Sequence, residues 1–426
     1  MFKQFVVIVF LFFILVVFSC DTVFGSGFRN DAALDAEANG MATIFVAQAD
    51  SPSAVQYNPA GLVQLKDDHV RIGYVYEAPR SSYTDLSGNE SCTQIETFFI
   101  PNLYFASDLG CENWRVGLGV TSPYGLSTDW ADDSFSRFQS TESSLEFLQV
   151  NPTVAYKVND TVSVGLGVDF IRTYTSNHKR IADGTGLGEF HLKGSDDGWG
   201  YNVGLLIRSS DKHSIGASYR SKVEFTYKGH VSLSNMNNGA YAVLFPDTYY
   251  VTGMESKLTL PRTLSLGYAF SPDDRWTLEA DCIWTGWSSV EEDFVRFTDE
   301  TDTNVLGVLN DGNPASKDWN DTLAYGIALR YRATDKLTLR SGYLFAETPV
   351  PSISFETSLT DSDKHCIGFG AGYKLNDGLT IDAAYLGVFY VDRDVTNDVC
   401  ISNGADLDGE YKGYVNVFSV GFTYRY

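Results

Sequence analysis

The chain has 426 residues, among them 28 Phe, 25 Tyr, 7 Trp and 38 Gly, and a formal net charge of −23. Such a charge repels phosphate, so nucleic acid is not an expected partner. Solvated acidic loops are its simplest origin.

At the N-terminus Lys3 precedes an unbroken apolar run of 14 residues, Phe5 to Phe18. That is the length of a signal-peptide core and too short for a bilayer-spanning helix. Val23-Phe24-Gly25 offers a cleavage site, which assigns residues 1–25 to a signal peptide and starts the mature chain at Ser26. A lipidated Cys20 is the rival reading, disfavoured by the bulky Phe18 two residues earlier. No later segment has 18 consecutive apolar residues. A secreted soluble protein and a transmembrane β-barrel remain, because alternation hides a barrel strand from mean hydropathy.

The segment 26–68 is rich in Ala, Asn and Pro and carries no strand pattern. Beyond it, apolar residues alternate with small or polar ones. Val162, Val164, Leu166, Val168 and Phe170 interleave with Ser163, Gly165, Gly167 and Asp169. The same period recurs from Trp276 to Trp284, from Leu323 to Tyr331 and from Phe418 to Tyr426. Fourteen strands are predicted, at 70–77, 98–106, 114–121, 148–157, 162–173, 199–208, 213–227, 257–270, 276–287, 322–332, 336–345, 364–374, 378–389 and 414–426. Many reach the 9–11 residues or so that cross a membrane. Short links such as Ser209-Ser210-Asp211-Lys212 alternate with connections of 18 to 34 residues. Short periplasmic turns and long external loops give that rhythm, and a soluble sandwich has no cause to keep it.

The predicted fold is therefore an all-β, 14-stranded antiparallel transmembrane barrel over 69–426, in a bacterial outer membrane. Its lumen would leak unless filled, which makes residues 26–68 an expected hatch, or plug, inside it. The terminal aromatic Tyr426 fits a signal to the barrel assembly machinery. A monomer is expected.

In this order along the chain, several motifs resemble the FadL-type long-chain fatty acid transporters. They are Ser26-Gly27-Phe28, Asn58-Pro59-Ala60, Pro101-Asn102-Leu103, Ser122-Pro123-Tyr124-Gly125, Tyr201-Asn202-Val203-Gly204, Ile215 to Lys222, Trp284-Thr285-Gly286-Trp287 and Pro349-Val350-Pro351. The resemblance implies a 14-stranded barrel with a hatch and passive uptake of long-chain fatty acids or other hydrophobic small molecules, with lateral release through the wall into membrane lipid. Aromatic hydrocarbons are the alternative cargo. It also implies a hatch role for Asn58, Pro59 and Ala60, an opening at a kinked third strand, and a place for Phe28 near a binding pocket.

Gly117 and Gly119 in the third strand tolerate a bulge or bend, so the opening is expected beside them; plain lumenal spacing is the bland alternative. Arg115, Arg172, Arg208, Arg330 and Arg340 are expected to face the lumen, with Arg115 and Arg172 as candidate carboxylate contacts; pairing with lumenal Asp or Glu competes. Cys92 and Cys400 fall in external loops where a disulfide is possible, with Cys366 a rival partner for Cys400. No catalytic motif, metal-ligand spacing or cofactor fingerprint is expected: Gly-x-Ser-x-Gly and His-Glu-x-x-His do not occur, and the Asp406–Glu410 stretch lacks a full calcium-ligand series. A general porin, an adhesin and an enzyme are the competing classes.

Overall fold

The structure is a computed structural model that describes residues 27–182, 188–236, 239–397 and 406–426. The assigned signal peptide and Cys400 lie outside the described residues.

Fourteen antiparallel strands close into one barrel. They are β1 (His69–Asp85), β2 (Phe98–Ser107), β3 (Trp114–Thr121, continued by Gly125–Asp129), β4 (Glu142–Lys157), β5 (Val162–Ile181), β6 (Gly188–Ser210) and β7 (His213–Arg220, continued by Val223–Ser234). Then follow β8 (Tyr249–Leu260, continued by Thr263–Phe270), β9 (Trp276–Thr285), β10 (Thr322–Arg332), β11 (Leu337–Ala346), β12 (Lys364–Asn376), β13 (Leu379–Tyr390) and β14 (Gly409–Arg425). Closure is made by β1 against β14, from His69↔Arg425 to Asp85↔Gly409. Apart from a local interruption between β2 and β3, each described strand is laddered to a neighbour on both sides, which is what lets strands stand in lipid.

Burial is inverted relative to a soluble sheet. On β5 the apolar Val164, Leu166 and Val168 are exposed, while Ser163 and Asp169 are buried. The outward rows are thus the lipid-facing ones. Paired aromatics mark the two rims: Trp276 stacks 4.1 Å from Tyr331 at one, and Phe170 lies tilted 4.9 Å from Trp199 at the other. Aromatic rings settle at such interfaces because one end of each is apolar and the other tolerates water.

Several strands run beyond the predicted ends. The wall β5–β6 continues to Ile181↔Gly188. Above the membrane both faces meet water, so the alternation that revealed the lower part disappears. Two strands break where continuous runs were expected, at Ser221–Lys222 and Pro261–Arg262, and the third strand resumes at Gly125 beyond its predicted end.

Residues 27–65 pack against inward-facing side chains around the wall. The segment is built of short pieces: a 3-10 turn at Asp31–Ala33, helix α1 (Ala36–Asn39), helix α2 (Ala54–Tyr57) and a second 3-10 stretch, Pro59–Gln64. None is long enough to be stable alone, so each depends on the wall. The wall receives them in two ways. First, its inward glycines leave room for backbone. A Cβ on Gly204 would lie 2.3 Å from Asn58 Oδ1, one on Gly342 2.2 Å from the Met41 carbonyl carbon, and one on Gly368 2.3 Å from Asn39 O. Second, wall carboxylates accept the segment's free amides. Asp281 Oδ2 accepts from Phe45 N at 3.0 Å and Val46 N at 3.2 Å, and Glu279 accepts from Ala47 N at 2.5 Å and Gln48 N at 3.2 Å.

Replacing both carboxylates, Glu279→Ala with Asp281→Ala, removes the acceptors of four buried amides, each costing about 1–3 kcal/mol when left unsatisfied. The barrel should still assemble, shown by unchanged heat-dependent mobility on a gel, while the segment loosens. Ion conductance in planar bilayers should rise several-fold over the parent protein. Conductance at the parental level would refute this anchoring.

Candidate functional site

Two features of the lumen bear on transport: an ion-pair chain that ties residues 27–65 to the wall, and an aromatic chamber beside an interruption in the wall.

Asp35 caps α1, accepting from Glu37 N at 2.7 Å and Ala38 N at 3.1 Å. The same carboxylate takes a two-point contact from Arg71 of β1, at 2.5 and 3.1 Å. Arg71 reaches on to Asp382 of β13 at 2.8 Å, and Asp382 meets Arg340 of β11 at 2.9 Å. Arg340 then pairs with Glu37 at 2.5 Å, and Arg330 of β10 holds Asp50 with two contacts of 3.0 Å. Buried charges tolerate such a place only when each is paired. For Glu37, burial pushes the carboxyl up, but Arg340, then Arg71 and Arg330 outweigh it and hold it down at about 2.

Arg330 and Arg340 thus face the lumen as expected, already committed to carboxylates. Arg115 faces inward too, but it caps carbonyls: Nε donates to Leu65 O at 2.8 Å and Nη1 to Cys111 O at 2.9 Å. Arg172 corrects the expectation. The alternation that sends Val168 and Phe170 outward sends Arg172 outward as well, where it is exposed and pairs with Asp197 at 3.4 Å. It does not reach the lumen. Cys92 is exposed, and its suggested partner Cys400 lies outside the described residues. Cys366 is buried.

The Asn58-Pro59-Ala60 turn is held at both ends. Asn58 Nδ2 donates to Val46 O at 2.9 Å and to Leu205 O of β6 at 3.1 Å, while its Oδ1 accepts from Ala60 N at 3.2 Å. Gly165 of β5 makes space for it, since a Cβ there would lie 2.4 Å from the Pro59 carbonyl carbon.

Phe28 sits in an aromatic chamber. Its ring is 4.7 Å from Trp287 edge-on, 5.7 Å from Trp319, 6.3 Å from Tyr124 and 6.4 Å from Phe147 in a stacked arrangement. Alongside is a polar recess of about 40 Å³, lined among others by Arg29, Thr43, Tyr57, Tyr124 and Arg220. The Tyr57 hydroxyl and Thr43 Oγ1 are buried without a hydrogen-bond partner among the described residues. Burial pushes the Tyr57 phenol well above its ordinary pKa and keeps it a donor. Arg29 pairs with Asp31 at 2.9 Å, and Arg220 with Asp169 at 2.5 Å. Sequence reasoning passed over Arg29, Tyr57 and Thr43. Adjacency of Arg29 to Phe28 was the available signal, and nothing local marked the other two.

The wall is interrupted beside this chamber. The β2–β3 ladder ends at Leu103↔Val120. Past Thr121 the third strand turns inward and bonds to the N-terminal segment instead: Asn30 N donates to Pro123 O and Gly125 N to Phe28 O, both at 2.8 Å. Higher up β3 rejoins its neighbour through Gln94 N to Asp129 O at 2.7 Å and Ser127 Oγ to Glu96 at 2.9 Å. Gly117 and Gly119 lie below the interruption and are laddered on both sides, to Ala106 and Thr153 and to Tyr104 and Asn151. Their bare faces seat α2: a Cβ on Gly117 would lie 2.7 Å from Val55 Cγ2.

This arrangement has counterparts. A family model described as outer membrane protein transport protein (OMPP1/FadL/TodX) matches residues 22–426. The chain belongs to this family. It is 25% identical to a long-chain fatty acid transport protein of Escherichia coli O6:H1, over 89% of each chain. At 22% identity it matches outer membrane protein P1 of Haemophilus influenzae, over 79% of this chain and 80% of that protein. In fold it is similar to a FadL homologue of Pseudomonas aeruginosa, with a TM-score of 0.81, 21% identity and coverage of 94% and 99%. The Pseudomonas putida toluene transporter TodX gives a TM-score of 0.71 at 18% identity, covering 95% and 100%. The chain is thus an outer-membrane β-barrel of a transport family.

Glu37 carries a pH consequence. Its folded pKa is depressed, so its pairing with Arg340 contributes stability above the ordinary carboxylate range and loses it as pH falls toward about 2. With residues 27–65 held this way, bilayer conductance should stay flat from pH 7 to pH 4, and Glu37→Gln should already conduct more at pH 7. A conductance rise in the parent protein between pH 6 and 5 would contradict the assignment.

Proposed function

We propose that the protein admits long-chain fatty acids, or similarly hydrophobic compounds, by passive diffusion, and releases them sideways through the wall between β2 and β3. Residues 26–68 serve as the plug that closes the straight route. Each CH₂ taken out of water contributes about 0.8 kcal/mol, so an alkyl chain is drawn along apolar surfaces and not through a wet pore.

The observation that carries the reading is the chamber's position. A buried, close-packed apolar cluster of Phe28, Trp287, Trp319 and Phe147 adjoins a recess with Arg29 and two hydroxyls that have no hydrogen-bond partner among the described residues. The inward turn at Ser122–Tyr124, which interrupts the wall, is bonded directly to Phe28 and Asn30. A fatty acid has a tail for the first and a carboxylate for the second; Tyr57, Thr43 and Arg29 can donate to it. An aromatic hydrocarbon has no group for that recess, which favours the fatty acid. Asn58, Pro59 and Ala60 anchor the plug, and Gly117 and Gly119 seat it below the exit. Surrounding lipid receives the cargo. Insertion by the barrel assembly machinery and a monomeric state complete the proposal.

Deleting Ser122–Tyr124 should let β3 run straight and close the gap. Uptake of labelled oleate by cells should fall at least tenfold with the barrel still folded. Tyr57→Phe with Thr43→Val should weaken oleate uptake severalfold and leave toluene entry unchanged. Undiminished oleate uptake in the deletion variant would overturn lateral release.

A further inference from the structure

At the periplasmic end of the lumen, on the side away from the aromatic chamber, a cup of about 220 Å³ opens between the plug and the wall. Its floor is the plug segment around Ala47–Asp50 with Gln64, and its sides are the ends of β6 to β11 with their turns. Six arginine and lysine side chains line it against three aspartates, in a chain that is strongly acidic overall.

The charges fall into two groups. Arg330 and Arg340 are held by Asp50, Glu37 and Asp382, as described above. Arg208, Lys212, Arg275 and Arg332 have no ion-pair partner among the described residues, nor have Asp211 and Asp274, so positive charge is left in excess. Arg208 lies in the inward row of β6, and Arg332 follows Arg330 by two in the inward row of β10. Ser210 and Thr338 add hydroxyls to the same lining, and the buried Nε of Arg340 has no hydrogen-bond partner. Guanidinium groups are donors only and the two hydroxyls can donate beside them, so the unpaired cations give the cup a surplus of donors matched to planar or tetrahedral oxygens, in spite of its aspartates.

We propose that this cup is a binding site for a small oxyanion, a carboxylate or a phosphate, entering from the periplasmic side. The site is separate from the chamber around Phe28. Between them stands the plug backbone at Phe45–Gln48, bonded to Asp281 and Glu279. The proposal is independent of the fatty-acid reading, because it concerns the opposite mouth of the lumen and needs no cargo to pass the plug. A free ion and the head of an amphiphile from the inner leaflet present the same chemistry, so the probes separate them.

The test is isothermal titration of the full mature chain in a non-ionic detergent at low salt, with inorganic phosphate and with octanoate. Saturable binding of either is expected, weakening as salt rises. Phosphate binding alone assigns the site to a free ion, and octanoate binding that the variants below abolish assigns it to an amphiphile head. Arg208→Gln with Arg332→Gln should lower the affinity at least tenfold, while Arg208→Lys with Arg332→Lys retains it within a few-fold. Unchanged gel mobility of both variants shows that the barrel is folded. Phe28→Ala with Tyr57→Phe, which alters the cargo chamber, should leave this binding unaltered. Absence of saturable binding for both probes, equal affinity in the glutamine variant, or loss of binding only in the chamber variant each overturns the proposal.

Discussion

The rest of the structure depends on how the wall holds the chain's leading residues, the proposed plug, inside the barrel. A plug of short helices and turns has no core of its own, and its amides and carbonyls would be unsatisfied in a dry lumen. The wall solves this by presenting glycines where backbone must come close and carboxylates where amides must be met. Gly342 and Gly368 abut the plug backbone, and Asp281 and Glu279 accept four consecutive amides, Phe45 to Gln48. The ion-pair chain from Asp35 through Arg71, Asp382, Arg340 and Glu37 then fixes the plug to three wall strands.

The interrupted wall follows from the same anchoring. Strand β3 leaves its neighbour because Phe28 and Asn30 offer it alternative backbone partners at Pro123 and Gly125. Asn30 is itself held by Glu77 of β1 at 3.0 and 3.1 Å, and Gly27 N donates to Asp361 at 3.0 Å. The segment's first residues thus both pack the aromatic cluster and hold β3 away from β2. In the proposed route a seated plug and a sideways exit follow from one set of contacts, and a route through the centre would require breaking them.

The membrane-crossing part of the barrel was legible in the sequence because the lipid boundary writes a period of two into each strand. Where that boundary ends, so does the signal: the upper reaches of β5 and β6, with Ser176 to Lys179 facing water on both sides, gave no alternation to read. Strand breaks at Pro261 and at Ser122–Tyr124 depend on contacts hundreds of residues away or on the plug, and only the prolines hinted at them. Arg172 was assigned to the wrong face although the apolar row beside it, Val168 and Phe170, already fixed its phase. The polar recess was the least legible of all. Tyr57 and Thr43 matter through what they lack, and an unpartnered hydroxyl leaves no trace in a sequence. Gly117 and Gly119 are laddered on both sides and seat α2, and the third strand leaves the wall only beyond them, past Thr121.

The central claim is that cargo passes with the plug in place. Ala36 of α1 faces Gly421 of β14 across the plug–wall boundary, a Cβ on Gly421 lying 3.5 Å from Ala36 Cβ, a separation that a disulfide spans. In a background without other cysteines, Ala36→Cys with Gly421→Cys provides a bond that locks the plug to β14 on oxidation. Oleate uptake by cells carrying the oxidised protein should match uptake after reduction. Uptake that vanishes on oxidation and returns with reductant would show that the plug must move, and would contradict the account.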